Sequence, residues 1–294
     1  MGCSAPAFQN VSLIHNLKQN TVRVRCIYEL PKGNIMTAGG DGKLYIWSLN
    51  YEEILEVVKA HFSQITALVP LKEKVFITAS MDHTVRYWEM EETINCKESM
   101  KIKYDPLRVV RLSNRQFIIG CNLGIVIFDI NPLRETIYIS LSTPVDSLVL
   151  LRDGRIVGNS LYKIAIWNYK TTKDEERLQY IEGHEKAVSS LLQLRDGRLV
   201  SGGEDKKIFI WNIKDKVRLK ELEGHKGPVI SLYQLKQGNL VSGDKYCLIY
   251  FWSIDMDEII QTLIEEGSIL DFYQLKNYNL CSISSASEIK IWGV

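Results

Sequence analysis

An all-β chain folded as a single seven-bladed β-propeller of four-stranded antiparallel sheets is predicted by three features of the sequence. These are a ladder of aromatic residues, a short apolar run ending at each rung, and turn residues set between the runs. All six tryptophans lie on the ladder, at Trp47, Trp88, Trp167, Trp211, Trp252 and Trp292, with gaps of 41, 79, 44, 41 and 40 residues. Phe128, 40 residues after Trp88, fills the double gap. Seven units of similar length follow, and self-similarity at such a period is the mark of a propeller or another repeat array.

The run closing on each aromatic, such as Leu44-Tyr45-Ile46-Trp47 or Ile208-Phe209-Ile210-Trp211, is short, β-branched or aromatic, and bounded by Gly, Asp, Asn or Ser, which reads as a strand. Ten residues before most of these aromatics a hydroxyl residue (Thr37, Thr78, Ser201, Ser242, Ser282) ends a second run. A third run lies upstream again, across tight turns such as Asp153-Gly154-Arg155, Asp196-Gly197-Arg198 and Gln237-Gly238-Asn239, where glycine supplies a positive φ. A fourth follows the aromatic, as in Glu53 to Val58, Glu135 to Leu141 and Val217 to Leu222. Its charged residues suit an outermost strand, whose free edge otherwise invites aggregation. Four short antiparallel strands repeated around an axis make a propeller.

The seventh unit ends two residues after Trp292 and has no fourth strand of its own. The segment Phe8 to Leu17, with Val11, Leu13, Ile14 and Leu17, is the natural donor, so the N-terminal strand is expected to join the last blade and close the ring. The expected organisation is a flexible leader over 1–7 and a propeller over 8–294.

Composition narrows the function. Lys plus Arg total 36 against 35 Asp plus Glu, so no global positive field draws the chain to nucleic acid or acidic lipid. The six cysteines form no Cys-x-x-Cys pair and have no histidine at ligand spacing, which reads as free thiols in a reducing compartment and no metal. No apolar stretch approaches the ~20 residues of a membrane-spanning helix, and the N-terminus lacks a signal pattern. The expectation is a cytoplasmic protein, with cytoskeletal or membrane association left open. The segment Gly39-Gly40-Asp41-Gly42-Lys43 lacks the spacing of a phosphate loop and leads into a strand, so no nucleotide cofactor is expected. Paired carboxylates such as Glu52-Glu53, Glu91-Glu92, Glu175-Glu176 and Glu265-Glu266 recur at the repeat period and read as solvated rims.

The stretches Gly183-His184 to Trp211, Gly224-His225 to Trp252 and Ala60-His61 to Trp88 each set a His, a hydroxyl residue and a Trp in register. With them the chain resembles the WD40-repeat family, which includes the G-protein β subunits, and the resemblance covers nearly all of it after residue 8. The family implies a hydrogen-bonded tetrad of His, Ser or Thr, Asp and Trp in each blade. By position it is complete as His61, Thr78, Asp82, Trp88 and as His184, Ser201, Asp205, Trp211, which makes these histidines structural, not catalytic. The first unit has Asn20 in place of His, the sixth has Tyr246 in place of Asp, and the third, fourth and seventh have lost most of the polar set. The Trp-Asp-x-Arg signature for docking a ubiquitin-ligase adaptor is absent.

The resemblance implies a non-catalytic platform for other proteins in a multisubunit assembly, with no small-molecule substrate. It also implies that partners dock on the face carrying the histidine loops. Carried over by position, the contacts are Arg23 and Arg25, Gln64, Thr66 and Met81, Asp105 and Leu107, Asp146, Ser189 and Glu204, and Ile230 and Lys245. Such a face is basic in the first unit and acidic in the third to fifth. A second reading is a membrane-tethered signalling subunit. Met1-Gly2-Cys3-Ser4 resembles a dually acylated start, with Gly2 for myristate and Cys3 for palmitate, although Pro6 stands where Ser or Thr is expected.

Overall fold

The computed structural model describes residues 11–18, 23–50, 52–171 and 177–294. Seven four-stranded antiparallel sheets surround a channel. Blade 1 is β2 (Val24–Glu29), β3 (Ile35–Gly39), β4 (Lys43–Ser48) and β5 (Glu53–Lys59); blade 2 is β6 (Ile65–Lys72), β7 (Val75–Ser80), β8 (Thr84–Met90) and β9 (Ile94–Lys101). Blade 3 is β10 (Pro106–Arg111), β11 (Gln116–Cys121), β12 (Gly124–Ile130) and β13 (Leu133–Ser140); blade 4 is β14 (Leu148–Leu150), β15 (Ile156–Ser160), β16 (Lys163–Trp167) and β17 (Leu178–Glu182). Blade 5 is β18 (Val188–Gln193), β19 (Leu199–Gly203), β20 (Ile208–Asn212) and β21 (Val217–Leu222); blade 6 is β22 (Val229–Gln234), β23 (Leu240–Asp244), β24 (Leu248–Ser253) and β25 (Glu258–Ile264). Blade 7 joins β26 (Ile269–Gln274), β27 (Leu280–Ser284) and β28 (Glu288–Gly293) to β1 (Ser12–Lys18).

The middle strands are covered on both faces by neighbouring blades, so their sequences are continuous apolar runs instead of alternating ones. Val157, Ile164 and Ile166 of blade 4 pack on Val188, Leu199, Phe209 and Trp211 of blade 5. Val200, Ile208 and Ile210 of blade 5 do the same with Leu240, Tyr250 and Trp252 of blade 6. Each fully buried side chain of this size contributes about 1.5–3 kcal/mol. The outer strands differ from one another. Those of blades 6, 7 and 1 expose Ile259, Ile260 and Ile264, Leu13 and Ile14, and Ile54, Leu55 and Val57, so charge does not guard every rim.

The ring closes as expected. Strand β1 runs antiparallel to β28, with Ser12 opposite Gly293 and Lys18 opposite Glu288. The donated strand starts at Ser12, while residues 1–10 lie outside the described residues. Leu17, 1% exposed, fills the last seam beside Ile289, Ile291, Val24, Ile35 and Trp47. The turns from first to second strand use the expected glycines, with φ of 90° at Gly154, 95° at Gly197 and 111° at Gly238. In blade 7, Tyr278 takes this place at φ 73°.

One feature of the innermost strands positions the site. In all of them except β14 the register shifts near the start, at Val24/Cys26, Ile65/Ala67, Pro106/Arg108, Val188/Ser190, Val229/Ser231 and Ile269/Asp271. A β-bulge of this kind turns its extra residue out of the ladder.

Candidate interaction surface around the central channel

The loops entering each blade and the turns from second to third strand lie on one face, where the tetrads hold them together. In blade 2, His61 Nδ1 is 3.0 Å from Asp82 Oδ2, His61 Nε2 is 2.6 Å from Thr78 Oγ1, and Trp88 Nε1 donates to Thr78 Oγ1 at 2.8 Å. In blade 5, His184 Nδ1 is 2.8 Å from Asp205 Oδ2 and Nε2 is 2.7 Å from Ser201 Oγ, which accepts from Trp211 Nε1 at 2.8 Å. An indole can only donate and a hydroxyl has one proton to give, so the chain runs from Trp through the hydroxyl to Nε2, and Nδ1–H donates to the carboxylate.

This network keeps His61 out of acid–base chemistry. Burial lowers its pKa, outweighing the pull of Asp82. Burial works against ionisation of Asp82, but hydrogen bonds from Thr84 and the Phe62 N–H, with His61 beside it, hold it down at about 2. In the channel wall, burial pushes the Cys26 thiol up to about 12, so it is no nucleophile near neutrality.

Blade 6 corrects the expectation from position. Tyr246 does stand where Asp was expected, yet the tetrad is complete. His225 Nδ1 is 3.0 Å from Asp244 Oδ2, Nε2 is 2.6 Å from Ser242 Oγ, and Trp252 Nε1 donates to Ser242 Oγ at 2.7 Å. Asp244 occupies the position that Gly203 has in blade 5, eight residues before the Trp. A Cβ at Gly203 would meet His184 Nδ1 and Asp205 Oδ1 at 2.5 Å, so blade 5 needs glycine there; in blade 6 the side chain at that position is itself the carboxylate.

The remaining blades improvise. In blade 7, Ser282 accepts from Trp292 Nε1 at 2.8 Å and donates to Glu265 Oε1, while Lys290 Nζ lies 2.9 Å from Glu265 Oε2. Here a buried ion pair stands where the regular blades have a histidine, and Glu265, expected on a solvated rim, is instead buried. In blade 3, Asn122 Nδ2 donates to Asp105 Oδ2 at 3.0 Å, and Phe128 stacks on Phe117 at 5.1 Å. In blade 4, Asn159 Nδ2 donates to Asp146 Oδ1 at 2.6 Å, but Trp167 Nε1 is buried without a partner. In blade 1, Trp47 Nε1 donates to Thr37 Oγ1 at 3.0 Å, and Asn20 lies outside the described residues.

On this face the channel opens into a cavity of about 320 Å³. Of the positions carried over from the family, Arg25, Gln64, Thr66, Met81, Leu107, Asp146, Ser189 and Ile230 line it. Arg25, Thr66, Leu107, Ser189 and Ile230 are the bulged residues of their strands, which explains why their side chains converge on the mouth. Arg23, Asp105, Glu204 and Lys245 are not part of that lining. Glu204 N–H and Lys245 N–H donate to Ala187 O and Pro228 O at 2.8 and 2.9 Å, which fixes those two on the surrounding loops.

Among the lining residues that the sequence reading did not name, two are charged and paired with each other. Arg108 Nη1 donates to Asp271 Oδ2 at 3.1 Å, joining blade 3 to blade 7 along the channel wall. Each directly follows its bulged residue, and a charged side chain in the middle of an innermost strand was the available signal. Gly2 and Cys3 lie outside the described residues.

The opposite face carries another pattern. Among the residues whose side chains are described, its inner turns, between first and second strands, hold Lys74, Arg115, Arg152, Arg155, Arg195, Arg198, Lys236 and Lys276 against Glu73, Asp153 and Asp196. Its outer turns, between third and fourth strands, include Glu52, Glu91, Glu92, Asp255 and Asp257. Among the described residues no group of three or more His, Cys, Asp and Glu could hold a metal ion, and no helix is long and apolar enough to cross a membrane.

Comparison with known proteins agrees with this architecture. The family described as WD domain, G-beta repeat matches residues 11–48, 52–89 and 175–212. The chain is 22% identical over 211 residues to a periodic tryptophan protein 2 homolog of Caenorhabditis elegans, covering 70% of this chain and 19% of that protein. It is 23% identical over 208 residues to WD repeat-containing protein 41 of Mus musculus, covering 64% of this chain and 44% of that protein. It is 21% identical over 198 residues to a p21-activated protein kinase-interacting protein 1-like protein of Danio rerio, covering 65% and 52%. The chain thus spans about half or less of these relatives.

Proposed function

We propose that this chain, a WD40-repeat β-propeller, is a non-catalytic scaffold that docks a protein partner over the channel mouth on its histidine-loop face. The observation that carries this reading is the convergence of bulged side chains from separate blades, among them Arg25, Thr66, Ser189 and Ile230, on one polar cavity. The histidines of blades 2, 5 and 6 are bound within tetrads, and one of the similar proteins is named for interacting with a protein kinase. A rigid disc with Arg25 on one side of the mouth and Asp146 on another favours a partner in one orientation, since such charge adds more to specificity than to affinity. We place the protein as a subunit of a larger cytoplasmic assembly, of the signalling, cytoskeletal, ciliary or trafficking kind.

The test is capture of partners by tagged protein with mass-spectrometric identification. Arg23→Glu combined with Arg25→Glu is expected to weaken capture of the principal partner without lowering the melting temperature. A partner kept by this variant and lost on changes to the outer strands would discard the site and leave the fold.

One observation favours membrane tethering as a second reading. Because Ser12 pairs with Gly293, the chain enters β1 on the face opposite the histidine loops. Acylation at Gly2 and Cys3 would then leave the docking face free, and two chains are needed because a single myristoyl group holds only marginally. Metabolic labelling with a myristate analogue tests this, with label expected on the wild type and lost in Gly2→Ala.

A further inference from the structure

The pentapeptide Leu-Arg-Asp-Gly-Arg occurs twice, at 151–155 and 194–198, in the inner turns of blades 4 and 5 on the face away from the histidine loops. In each copy the second arginine is held by the turn's own aspartate, Arg155 Nη2 at 2.8 Å from Asp153 and Arg198 Nε at 2.8 Å from Asp196. The first arginine does something else. Arg152 Nη1 donates to the main-chain carbonyl of Arg195 in the next blade. Arg195 Nη1 donates at 2.5 Å to Lys236 O in the blade after that, and Lys236 Nζ donates at 2.9 Å to Leu275 O in blade 7. Three cations are therefore laid blade to blade around the channel mouth, each exposed and each fixed by a carbonyl.

We infer that this mouth is a second docking site, for an acidic peptide segment of a partner protein lying over the inner turns of blades 4 to 7. A guanidinium that gives one N–H to a carbonyl retains others for a carboxylate. Its side chain is also already ordered, so binding costs less conformational entropy. Among the residues whose side chains are described, the inner turns carry eight cations against three acids in a chain whose overall net charge is +1, so the positive field belongs to this face, not to the molecule at large. The acidic outer turns decide between polyanions. Glu52, Glu91, Glu92, Asp255 and Asp257 form a collar on blades 1, 2 and 6, which repels a flat anionic membrane or a long nucleic acid crossing the disc. Over blade 5 the outer turn instead carries Lys214 and Lys216 beside Asp215, so a short acidic segment can lie across that side within the collar.

The inference rests on the reading of the disc as a protein scaffold and extends it to a bridge between two partners. The probe is a fluorescein-labelled decaglutamate peptide, with binding followed by fluorescence anisotropy at low and at physiological salt. The wild type is expected to bind, more weakly as salt rises because the contacts are exposed charges. Arg152→Gln with Arg195→Gln is expected to weaken binding about tenfold, in line with loss of preordered charge contacts. Those changes also remove inter-blade hydrogen bonds, so Lys276→Glu, which leaves that series intact, serves as the second variant and is expected to weaken binding several-fold. Arg23→Glu with Arg25→Glu, on the other face, is expected to leave it unchanged. No binding by the wild type, binding by the Arg152/Arg195 and Lys276 variants equal to that of the wild type, or tighter binding to phosphatidylserine vesicles or duplex DNA than to the peptide would each overturn the inference. A wild type that ignores the peptide yet captures a partner through Arg23 and Arg25 would sink this site alone.

Discussion

Asp244 accepts a hydrogen bond from His225 Nδ1–H at 3.0 Å, from a position two residues earlier than the aspartates that do so in blades 2 and 5. The spacing from His is 19 residues in blade 6 and 21 in the other two. The carboxylate also accepts the Tyr246 N–H at 2.8 Å and the Leu248 N–H at 3.0 Å, so it shapes the turn as well as the tetrad.

Asp244→Ala is therefore expected to destabilise the protein as Asp205→Ala does. Each leaves a buried imidazole donor unpaired, at a cost of about 1–3 kcal/mol. Tyr246 is 59% exposed, and Tyr246→Ala is expected to change stability by less than about 1 kcal/mol. Denaturant unfolding of the three variants checks this. An Asp244→Ala protein as stable as wild type would show that the blade 6 tetrad is not formed.

The unpartnered indole of blade 4 makes the opposite prediction. Ten residues before the Trp, blades 1, 2, 5, 6 and 7 place Thr or Ser to accept the indole N–H, whereas blade 4 has Val157, which is fully buried. Val157→Thr keeps the shape and adds the acceptor, so it is expected to stabilise the fold by about 1 kcal/mol. Val157→Ala, which removes volume and adds no acceptor, is expected to destabilise. A Thr variant no more stable than the Ala variant would refute the assignment.

The fold was legible because each rung of the aromatic ladder is a buried Trp or Phe in a seam, and a two-sided core writes itself as an apolar run. The donor role of the segment Phe8 to Leu17 was legible because Val11, Leu13, Ile14 and Leu17 give it the content of a strand ahead of the first unit's inner strand. What escaped were contacts that depend on register. Asp244 was overlooked because its position is glycine in the regular blade. Arg108 and Asp271 were overlooked because a bulge decides which of two neighbouring residues faces the channel, and no residue type announces that bulge. The Glu265–Lys290 pair was unreadable for a related reason, since its members are 25 residues apart and meet only once β28 is folded.

Acid should loosen the tetrads, and the sign follows from both partners. Asp82, held at about 2 in the fold against about 3.9 when unfolded, contributes stability that is present above pH ~4 and is lost as pH falls toward 2. Burial lowers the pKa of His61 as well, so the folded state favours the neutral ring. Its contribution is complete above the unfolded value of about 6.5 and declines below it. Stability is thus expected to fall from near pH 6.5 downward, with a shallower fall between pH 7 and pH 5 in His61→Gln. Melting curves across that range test this, and identical slopes for wild type and variant would rule out His61 as a contributor.

Ring closure rests on a strand with few contacts of its own beyond β28. Leu17 is its deepest anchor, Asn16 Nδ2 donates to Glu288 Oε2 at 3.2 Å, and Val11 is held by Gln261 of blade 6, which receives its N–H at 2.9 Å and donates to its carbonyl at 3.0 Å. Removing residues 1–17 takes away these contacts together and bares the edge of β28, whose Ile289 and Ile291 lie in the closing seam. Unpaired edges of apolar strands associate, so the truncated protein is expected to aggregate or to melt at a clearly lower temperature. Removal of residues 1–6 should leave the melting temperature unchanged, because the paired segment begins at Ser12. Leu17→Asp isolates the anchor from the edge. It keeps the strand's backbone pairing but buries a charge in the seam between blades 7 and 1, and is expected to cost several kcal/mol, as an unpaired buried charge does. A monomeric 18–294 chain melting with the wild type would mean that blade 7 is stable with three strands, and that β1 is an ornament of the ring instead of its clasp.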